Sequence, residues 1–271
     1  MSKMSTNPLF RYDAFLLDVD GVLVRGQEPI PGSPDALDAL RRRGHVLLVT
    51  NNSTRSRRDL AAHLNGLGFA ISPDETLPSS FAAAHHLLEA HGAVRVWIVG
   101  ELGLRDELID AGHRLAERPE TAEWVVAGMC RHLDYPTLVD ALKALRAGAC
   151  LMATNDDATF PGTDGPMPGA GAVIGALHGM GHDPETLIGK PSPILFRLAL
   201  RALGVSADRA LMIGDRLETD IAGGAQAGMD TALVFTGIAD RAAAAESAIR
   251  PTWTAETLAD LADASLSSPV Q

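Results

Sequence analysis

The run Phe15-Leu16-Leu17-Asp18-Val19-Asp20-Gly21-Val22-Leu23 decides how this chain is read. Phe15 to Val19 is short and largely apolar, and it ends in acid and glycine. A buried strand running into a loop is therefore expected. Outward from it, Pro34 to Arg43 carries apolar residues at Ala36, Leu37, Ala39 and Leu40, with Ser33 in N-cap position, which predicts a helix. Val46 to Val49 reads as a second buried strand, closed by Thr50-Asn51-Asn52-Ser53. Arg57 to Leu67 reads as a second helix. Strand, helix, strand, helix on short connections predicts a parallel sheet with helices on its faces.

The middle of the chain repeats this grammar by itself. Strands are expected at Val94 to Val99, Trp124 to Ala127 and Cys150 to Ala153, and helices at Gly103 to Ala111 and Tyr135 to Ala147. A glycine- and proline-rich loop, Phe160 to Gly171, precedes a helix near Val173 to Met180. The first pattern then resumes. It gives a helix at Pro191 to Leu203, strands at Ala210 to Ile213 and Thr231 to Phe235, and helices at Thr219 to Ala227, Ala239 to Ala248 and Ala255 to Leu266. Ser267 to Gln271 reads as a frayed end.

Composition narrows the function. With 271 residues and 46% hydrophobic residues, the chain can bury a core and carry a second, smaller domain. A net charge of −11 makes it a poor general binder of nucleic acid, which needs a basic face. The arginines at 41, 42, 43, 55, 57 and 58 are expected to coat solvated helix surfaces. Two cysteines, Cys130 and Cys150, suggest neither a disulfide framework nor a metal pair. Met1 to Asn7 has no apolar signal core, and no run approaches membrane-spanning length. A soluble, cytoplasmic protein is expected. Lysine is rare, with only Lys3, Lys143 and Lys190 among 23 basic residues, so Lys190 stands out as a place where a compact ammonium is required.

Three expected strand ends carry polar groups: Asp18 with Asp20, Thr50 with Asn51, and Asp215. Ligands of open parallel sheets bind at the carboxyl ends of the strands. Clustered carboxylates repel one another unless a cation lies between them. Oxygen-only ligands favour a hard ion, and Mg²⁺ suits one or two carboxylates plus phosphate oxygen. A metal, an ammonium and a hydroxyl around one point describe a phosphoryl site.

Four ordered motifs now stand together. They are Asp18-Val19-Asp20-Gly21-Val22-Leu23, Thr50-Asn51-Asn52, Gly189-Lys190-Pro191-Ser192-Pro193 and Gly214-Asp215-Arg216-Leu217-Glu218-Thr219-Asp220. In order and context they resemble the haloacid dehalogenase-like hydrolase superfamily, from Ala14 to about Gly237. The large insertion between the second and third motifs resembles subfamily IIA, the NagD-like and p-nitrophenyl phosphatases. The resemblance implies an α/β fold: a Rossmann-like, doubly wound parallel-sheet core, residues 1–79 and 183–271, with an inserted α/β cap domain, residues 80–182, that selects substrate.

By the same resemblance, Asp18 is the nucleophile that forms an aspartyl-phosphate, and Asp20 is the general acid and base. Thr50, Asn51 and Asn52 match the phosphate grip, and Lys190 steadies the charge of nucleophile and phosphoryl group. Asp18, Asp215 and the Asp20 carbonyl match the Mg²⁺ ligands; Asp220 orients that shell and Gly21 permits the turn. Thr50 to Ser53 can equally cap the following helix, and capping and phosphate gripping are compatible. In the cap, Cys130-Arg131-His132 and Asn155-Asp156-Asp157 are candidates for substrate contact, with ordinary loop polarity as the competing reading. Many relatives carry Gly-x-Asp-Arg where this chain has Gly128-Met129-Cys130-Arg131, so no named relative's substrate transfers directly. Glu101-Leu102-Gly103 lies at an expected helix start, with simple capping as a competing reading, and His85, His86 and His91 read as solvated helix residues.

The expected activity is hydrolysis of a small phosphorylated metabolite such as a sugar phosphate or nucleotide. The alternatives are a catalytically silent binding module and a dehalogenase. Asp20 argues against the last, because halide leaves without a proton. Transfer to another acceptor uses the same intermediate. The resemblance also allows a homodimer formed through the cap.

Overall fold

A computed structural model describes residues 8–162 and 165–263; Met1 to Asn7 and Ser267 to Gln271 lie outside the described residues. The chain forms two compact units. The first comprises residues 1–49, 64–71 and 196–271, and the second residues 50–63 and 72–195.

The first unit is built on parallel strands β1 (Ala14–Leu17), β4 (His45–Thr50), β13 (Ala210–Gly214), β14 (Asp230–Val234) and β15 (Trp253–Ala255). Within it they lie in the order β15-β14-β13-β1-β4. Every residue of β1 and of β13 is buried, as their unbroken apolar sequence requires of strands covered on both faces. The register pairs Leu17 with Ile213 on one side and with Leu48 on the other. From β1 the chain goes outward to β4, then returns to the far side of β1 and continues to β15. The order therefore reverses between β1 and β13. A small antiparallel ribbon, β2 (Val24–Arg25) with β3 (Glu28–Pro29), follows the first motif. Helices α1 (Ser33–Arg41), α7 (Pro193–Leu203), α8 (Ala222–Gln226), α9 (Arg241–Glu246) and α10 (Leu258–Ala262) accompany these strands.

The second unit holds a five-stranded parallel sheet in the order β12-β9-β8-β6-β7. Its strands are β6 (Arg95–Val99), β7 (Arg114–Leu115), β8 (Trp124–Ala127), β9 (Cys150–Ala153) and β12 (Thr186–Leu187). The unit also contains β5 (Thr76–Pro78) and helices α3 (Ser79–His91), α4 (Leu102–Asp110), α5 (Tyr135–Arg146) and α6 (Ala170–Gly179); α2 (Arg57–Gly66) opens in it. Its core gathers Val99, Val125, Ala141, Leu145, Leu151, Val173 and Leu177. Again the order reverses, here between β6 and β8. Among the described residues no helix is long and apolar enough to cross a membrane.

Several local expectations change. Ser33 is not the cap of α1. Gly32 holds that place in the left-handed region, and the Ser33 hydroxyl donates to the Leu23 carbonyl at 2.8 Å. The loop expected at Phe160 to Gly171 contains a hairpin, β10 (Thr159–Gly162) against β11 (Gly165–Pro168). The helix expected from Ala255 starts only at Leu258, because Trp253–Ala255 adds a strand beside β14. Thr219 to Ala227 divides into a π turn, Leu217–Ile221, and the short α8. Arg57 is not simply solvated: its Nε donates to the Thr76 carbonyl at 2.8 Å, and its guanidinium lies over the Phe81 ring.

Candidate active site

In the first unit the chemistry gathers where the strand order reverses. Asp18 follows β1 and Asp215 follows β13, so both leave the carboxyl ends of neighbouring parallel strands. Carboxylate oxygens of Asp18, Asp215 and Asp220 lie within 4.8 Å of one another, and all three residues are buried. Asp220 arrives there because the π turn folds it back, with its Oδ2 accepting the Arg216 N–H at 3.1 Å. Asp215 is aimed by the Ile238 N–H, which donates to its Oδ2 at 2.7 Å.

Two glycines make room for the Asp215 carboxylate. A Cβ on Gly21, which has φ of +86°, would lie 2.4 Å from Asp215 Oδ2, and one on Gly237 would lie 1.9 Å from it. No larger residue leaves the carboxylate in place. Three buried acids this close are mutually repulsive, and desolvation adds to the cost. The donor set is all oxygen and all hard, so it fits a divalent ion such as Mg²⁺ or Ca²⁺. Asp20 is exposed and outside the carboxylate trio; its carbonyl, rather than its carboxylate, is the atom expected to ligate.

In the second unit the segment after β4 lies on the carboxyl edge of the sheet. The Gly103 N–H, just past β6, donates to the Thr54 carbonyl at 3.1 Å. The Met129 N–H, just past β8, donates to Ser53 Oγ at 3.0 Å. Asn155, just past β9, donates from Nδ2 to the Asn51 carbonyl at 2.8 Å. Asn51 in turn reads the backbone of Lys190. Its Oδ1 accepts the Lys190 N–H at 2.7 Å, and its Nδ2 donates to the Lys190 carbonyl at 3.0 Å and to Asp157 Oδ2 at 3.1 Å. Thr50 and Asn52 join the same turn through the Asn52 N–H, which donates to Thr50 Oγ1 at 3.2 Å. Lys190 is only 3% exposed, which removes the reading of an ordinary surface lysine.

The sequence compares widely. A family model described as haloacid dehalogenase-like hydrolase matches residues 15–114, and one described as HAD-hydrolase-like matches residues 187–261. A dihydroxyacetone phosphatase of Corynebacterium glutamicum is 36% identical over 251 residues, covering 92% of this chain and 90% of the relative. The chain belongs to the haloacid dehalogenase-like hydrolases. Among solved structures of that family, a p-nitrophenyl phosphatase from Archaeoglobus fulgidus superposes with a TM-score of 0.88 at 34% identity, covering 93% of this chain and 99% of that one. A glycerol phosphate phosphatase from Mycobacterium tuberculosis, in complex with magnesium, superposes at 0.86 with 36% identity, covering 93% and 77%. The expected NagD-like, p-nitrophenyl phosphatase-like subfamily is borne out by these likenesses.

Against the haloacid dehalogenase-like pattern, Asp18, Asp215 and Asp220 meet in the first unit, while Thr50, Asn51, Asn52, Asn155 and Lys190 meet in the second. Asn155 commits its amide to Asn51 and its Oδ1 to the Asp157 N–H, so it braces the segment after β4. The cap of α2 is Ser56, whose Oγ accepts the Asp59 N–H at 3.1 Å, and not the Thr50 to Ser53 segment. Arg131 binds Glu101, thirty residues away, which also stands at the N-cap position of α4 but gives it no side-chain cap bond. No local pattern signals a contact across that separation. His91 is exposed, whereas His85 is half-buried against Phe81, and burial holds its imidazole pKa below the ordinary value.

Proposed function

We propose that the chain is a magnesium-dependent phosphatase that hydrolyses a small phosphomonoester through an aspartyl-phosphate on Asp18. The observation that carries this reading is the buried trio of Asp18, Asp215 and Asp220 at the reversal point of the first sheet. The names of the relatives, dihydroxyacetone, p-nitrophenyl and glycerol phosphate phosphatases, support the same class.

In the first half-reaction an Asp18 oxygen attacks phosphorus in line. The bond from phosphorus to the leaving oxygen breaks, and Asp20 gives that oxygen its proton. In the second, Asp20 takes a proton from water, the water oxygen attacks phosphorus, and the bond to Asp18 breaks to release inorganic phosphate. Thr50, with the Asn51 backbone N–H and the neighbouring Asn52, holds the phosphoryl oxygens, and the Lys190 ammonium offsets their charge. The Asp18 and Asp215 carboxylates and the Asp20 carbonyl would hold magnesium, with Asp220 orienting them, and the bound ion would supply positive charge to the phosphoryl group. Residues 80–182 act as the substrate-selecting cap, with Arg131 the side chain offered to the substrate.

The test is hydrolysis of p-nitrophenyl phosphate with and without magnesium. Wild-type protein is expected to release nitrophenol only with the metal, and Asp18→Asn to reduce turnover by at least about 10³-fold, since the covalent step is lost. Turnover that survives Asp18→Asn would overturn the mechanism.

A further inference from the structure

The loop after β14 does more than make room for Asp215. Its Ile238 N–H donates to Asp215 Oδ2 at 2.7 Å, and its Ala239 N–H donates to the Asp215 carbonyl at 3.0 Å. The start of the same loop turns to the first motif. Thr236 is buried, and its hydroxyl donates to the Gly21 carbonyl at 2.5 Å. The Thr236 carbonyl in turn accepts an N–H of Arg25 Nη2, from the β2–β3 ribbon. A single short segment thus ties the loop after β1 to the carboxylate after β13.

The Thr236 bond fixes a direction. A trans peptide is planar, and its C=O and N–H point opposite ways. The Gly21 N–H donates to the Val24 carbonyl at 2.7 Å. That holds the peptide joining Asp20 to Gly21 and aims the Asp20 carbonyl away from Val24. The next peptide, joining Gly21 to Val22, is held at its carbonyl by Thr236. Its N–H lies 3.4 Å from the Val19 carbonyl, a long bond that restrains it little. Between the two peptides stands Gly21, with φ of +86° and the backbone freedom of a residue without Cβ. The Thr236 hydroxyl is therefore the main restraint on the far side of that pivot.

The Asp20 carbonyl is the uncharged member of the expected ligand set. A carboxylate is drawn to a cation by its full charge, whereas a carbonyl offers a dipole that must be aimed in advance. Aim matters most for Mg²⁺, which demands near-ideal octahedral geometry at about 2.0–2.1 Å, while Ca²⁺ accepts flexible arrangements at about 2.3–2.6 Å.

We propose that Thr236, steadied by Arg25, is a positioning residue that aims the Asp20 carbonyl and tightens the site for Mg²⁺ more than for Ca²⁺. The proposal rests on the reading of Asp18, Asp215 and the Asp20 carbonyl as a metal site and adds what tunes it.

The test is calorimetric titration of the full chain with Mg²⁺ and, separately, with Ca²⁺, in the absence of any phosphate ester. Thr236→Val keeps the shape of the side chain and removes the hydroxyl. It is expected to weaken Mg²⁺ binding by roughly 10- to 100-fold, the usual weight of a lost partner behind a metal ligand. Ca²⁺ binding should weaken by less than about threefold. Thr236→Ser keeps the donor and should stay within about threefold of wild type for both ions. Arg25→Met, at an exposed position, should weaken Mg²⁺ by about threefold and Ca²⁺ by less. A merely structural bond would weaken both ions alike, and that result overturns the proposal. So does an unchanged Mg²⁺ affinity in Thr236→Val, or an equal loss in Thr236→Ser. Should Thr236→Val fail to fold, an unchanged Mg²⁺ affinity in Arg25→Met overturns it instead. A wild type that binds neither ion refutes the metal reading itself, and is told apart because it shows before any substitution.

Discussion

The two parallel sheets share one topology and use it in opposite ways. Each sends its first strand outward, returns to the other side and continues, so each has a reversal point flanked by two strand ends. At the first, between β1 and β13, Asp18 and Asp215 bring like charges together with Asp220. At the second, between β6 and β8, Glu101 and Arg131 bring opposite charges together. The first arrangement is unstable without an outside cation, so it stores a demand for metal and for the chemistry a metal supports. The second is satisfied by itself, and the Arg131 guanidinium holds the Glu101 carboxyl below the usual carboxylate range. The same topology sets strand ends side by side in both units, and the charges carried there are what differ.

The most severe way to break this comparison is to fill the space around Asp215. Gly237→Ala puts a Cβ 1.9 Å from Asp215 Oδ2, and the carboxylate must move. Displacement of about 1 Å can cost roughly 10²-fold in rate. We expect a drop of that size in p-nitrophenyl phosphate turnover, a weaker magnesium dependence in metal titrations, and an unchanged circular dichroism spectrum. Wild-type turnover in this variant would mean that the trio does not need its tight cradle. On the second sheet, Asn51→Leu removes the bonds to Lys190 and Asp157 while keeping similar bulk. Its expected effect is smaller, roughly tenfold in kcat/KM for any phosphate ester, because a buried hydrogen-bonded amide is lost while the Thr50 hydroxyl and Lys190 ammonium remain. An unchanged kcat/KM would mean that these bonds do not support turnover.

Legibility followed the range of the forces involved. Strands Trp124–Ala127 and Cys150–Ala153 were read to the residue, because a short apolar run bounded by polar residues has no other use inside a parallel sheet. The strand-end acids Asp18 and Asp215 were equally legible as strand ends, whereas the adjacency of their strands at a reversal point comes from the fold. Less was visible where a signal was ambiguous or distant. The β10–β11 hairpin lies in Pro161, Gly162, Gly165, Pro166 and Pro168, residues that punctuate loops, yet its backbone still pairs across four positions. Asp220 was expected to support the metal site, and its entry into the trio depends on a π turn that no periodicity announces. Glu101 was read locally, although its partner lies in another loop and its side chain makes no cap bond to α4. The spread of second-unit residues back to Thr50 has the same cause: hydrogen bonds from Gly103, Met129 and Asn155 draw the segment after β4 to that sheet.

The opposite, amino-terminal edges of the sheets sharpen the contrast with a smaller effect. On the first, Tyr12 lies just before β1, buried, and its hydroxyl donates to Asp230 Oδ2 at 2.8 Å while accepting the Trp253 Nε1–H at 2.8 Å. Burial first, and then the adjoining Asp230 carboxylate, push its pKa up from 10.0 to about 12, with the Trp253 donor opposing. The unfolded chain releases this proton near pH 10, while the folded chain keeps it to about pH 12. The stabilisation is therefore fully present below pH 10 and is lost as pH rises from 10 through 12. A shift of this size corresponds to a loss on the order of 2 kcal/mol. On the second sheet the matching brace is Arg95 with Glu123, both half-exposed at 3.4 Å, a pair of the kind worth about 0–1 kcal/mol. Urea unfolding at pH 8 and pH 11.5 separates the two. Tyr12→Phe should cost about 1 kcal/mol at pH 8, because the Trp253 donor loses its partner, and should flatten the alkaline loss. Glu123→Gln should change stability by less than about 1 kcal/mol and keep the alkaline slope. If Tyr12→Phe keeps the full slope, the alkaline sensitivity belongs to another group, and the two amino edges are braced by interactions of similar weight.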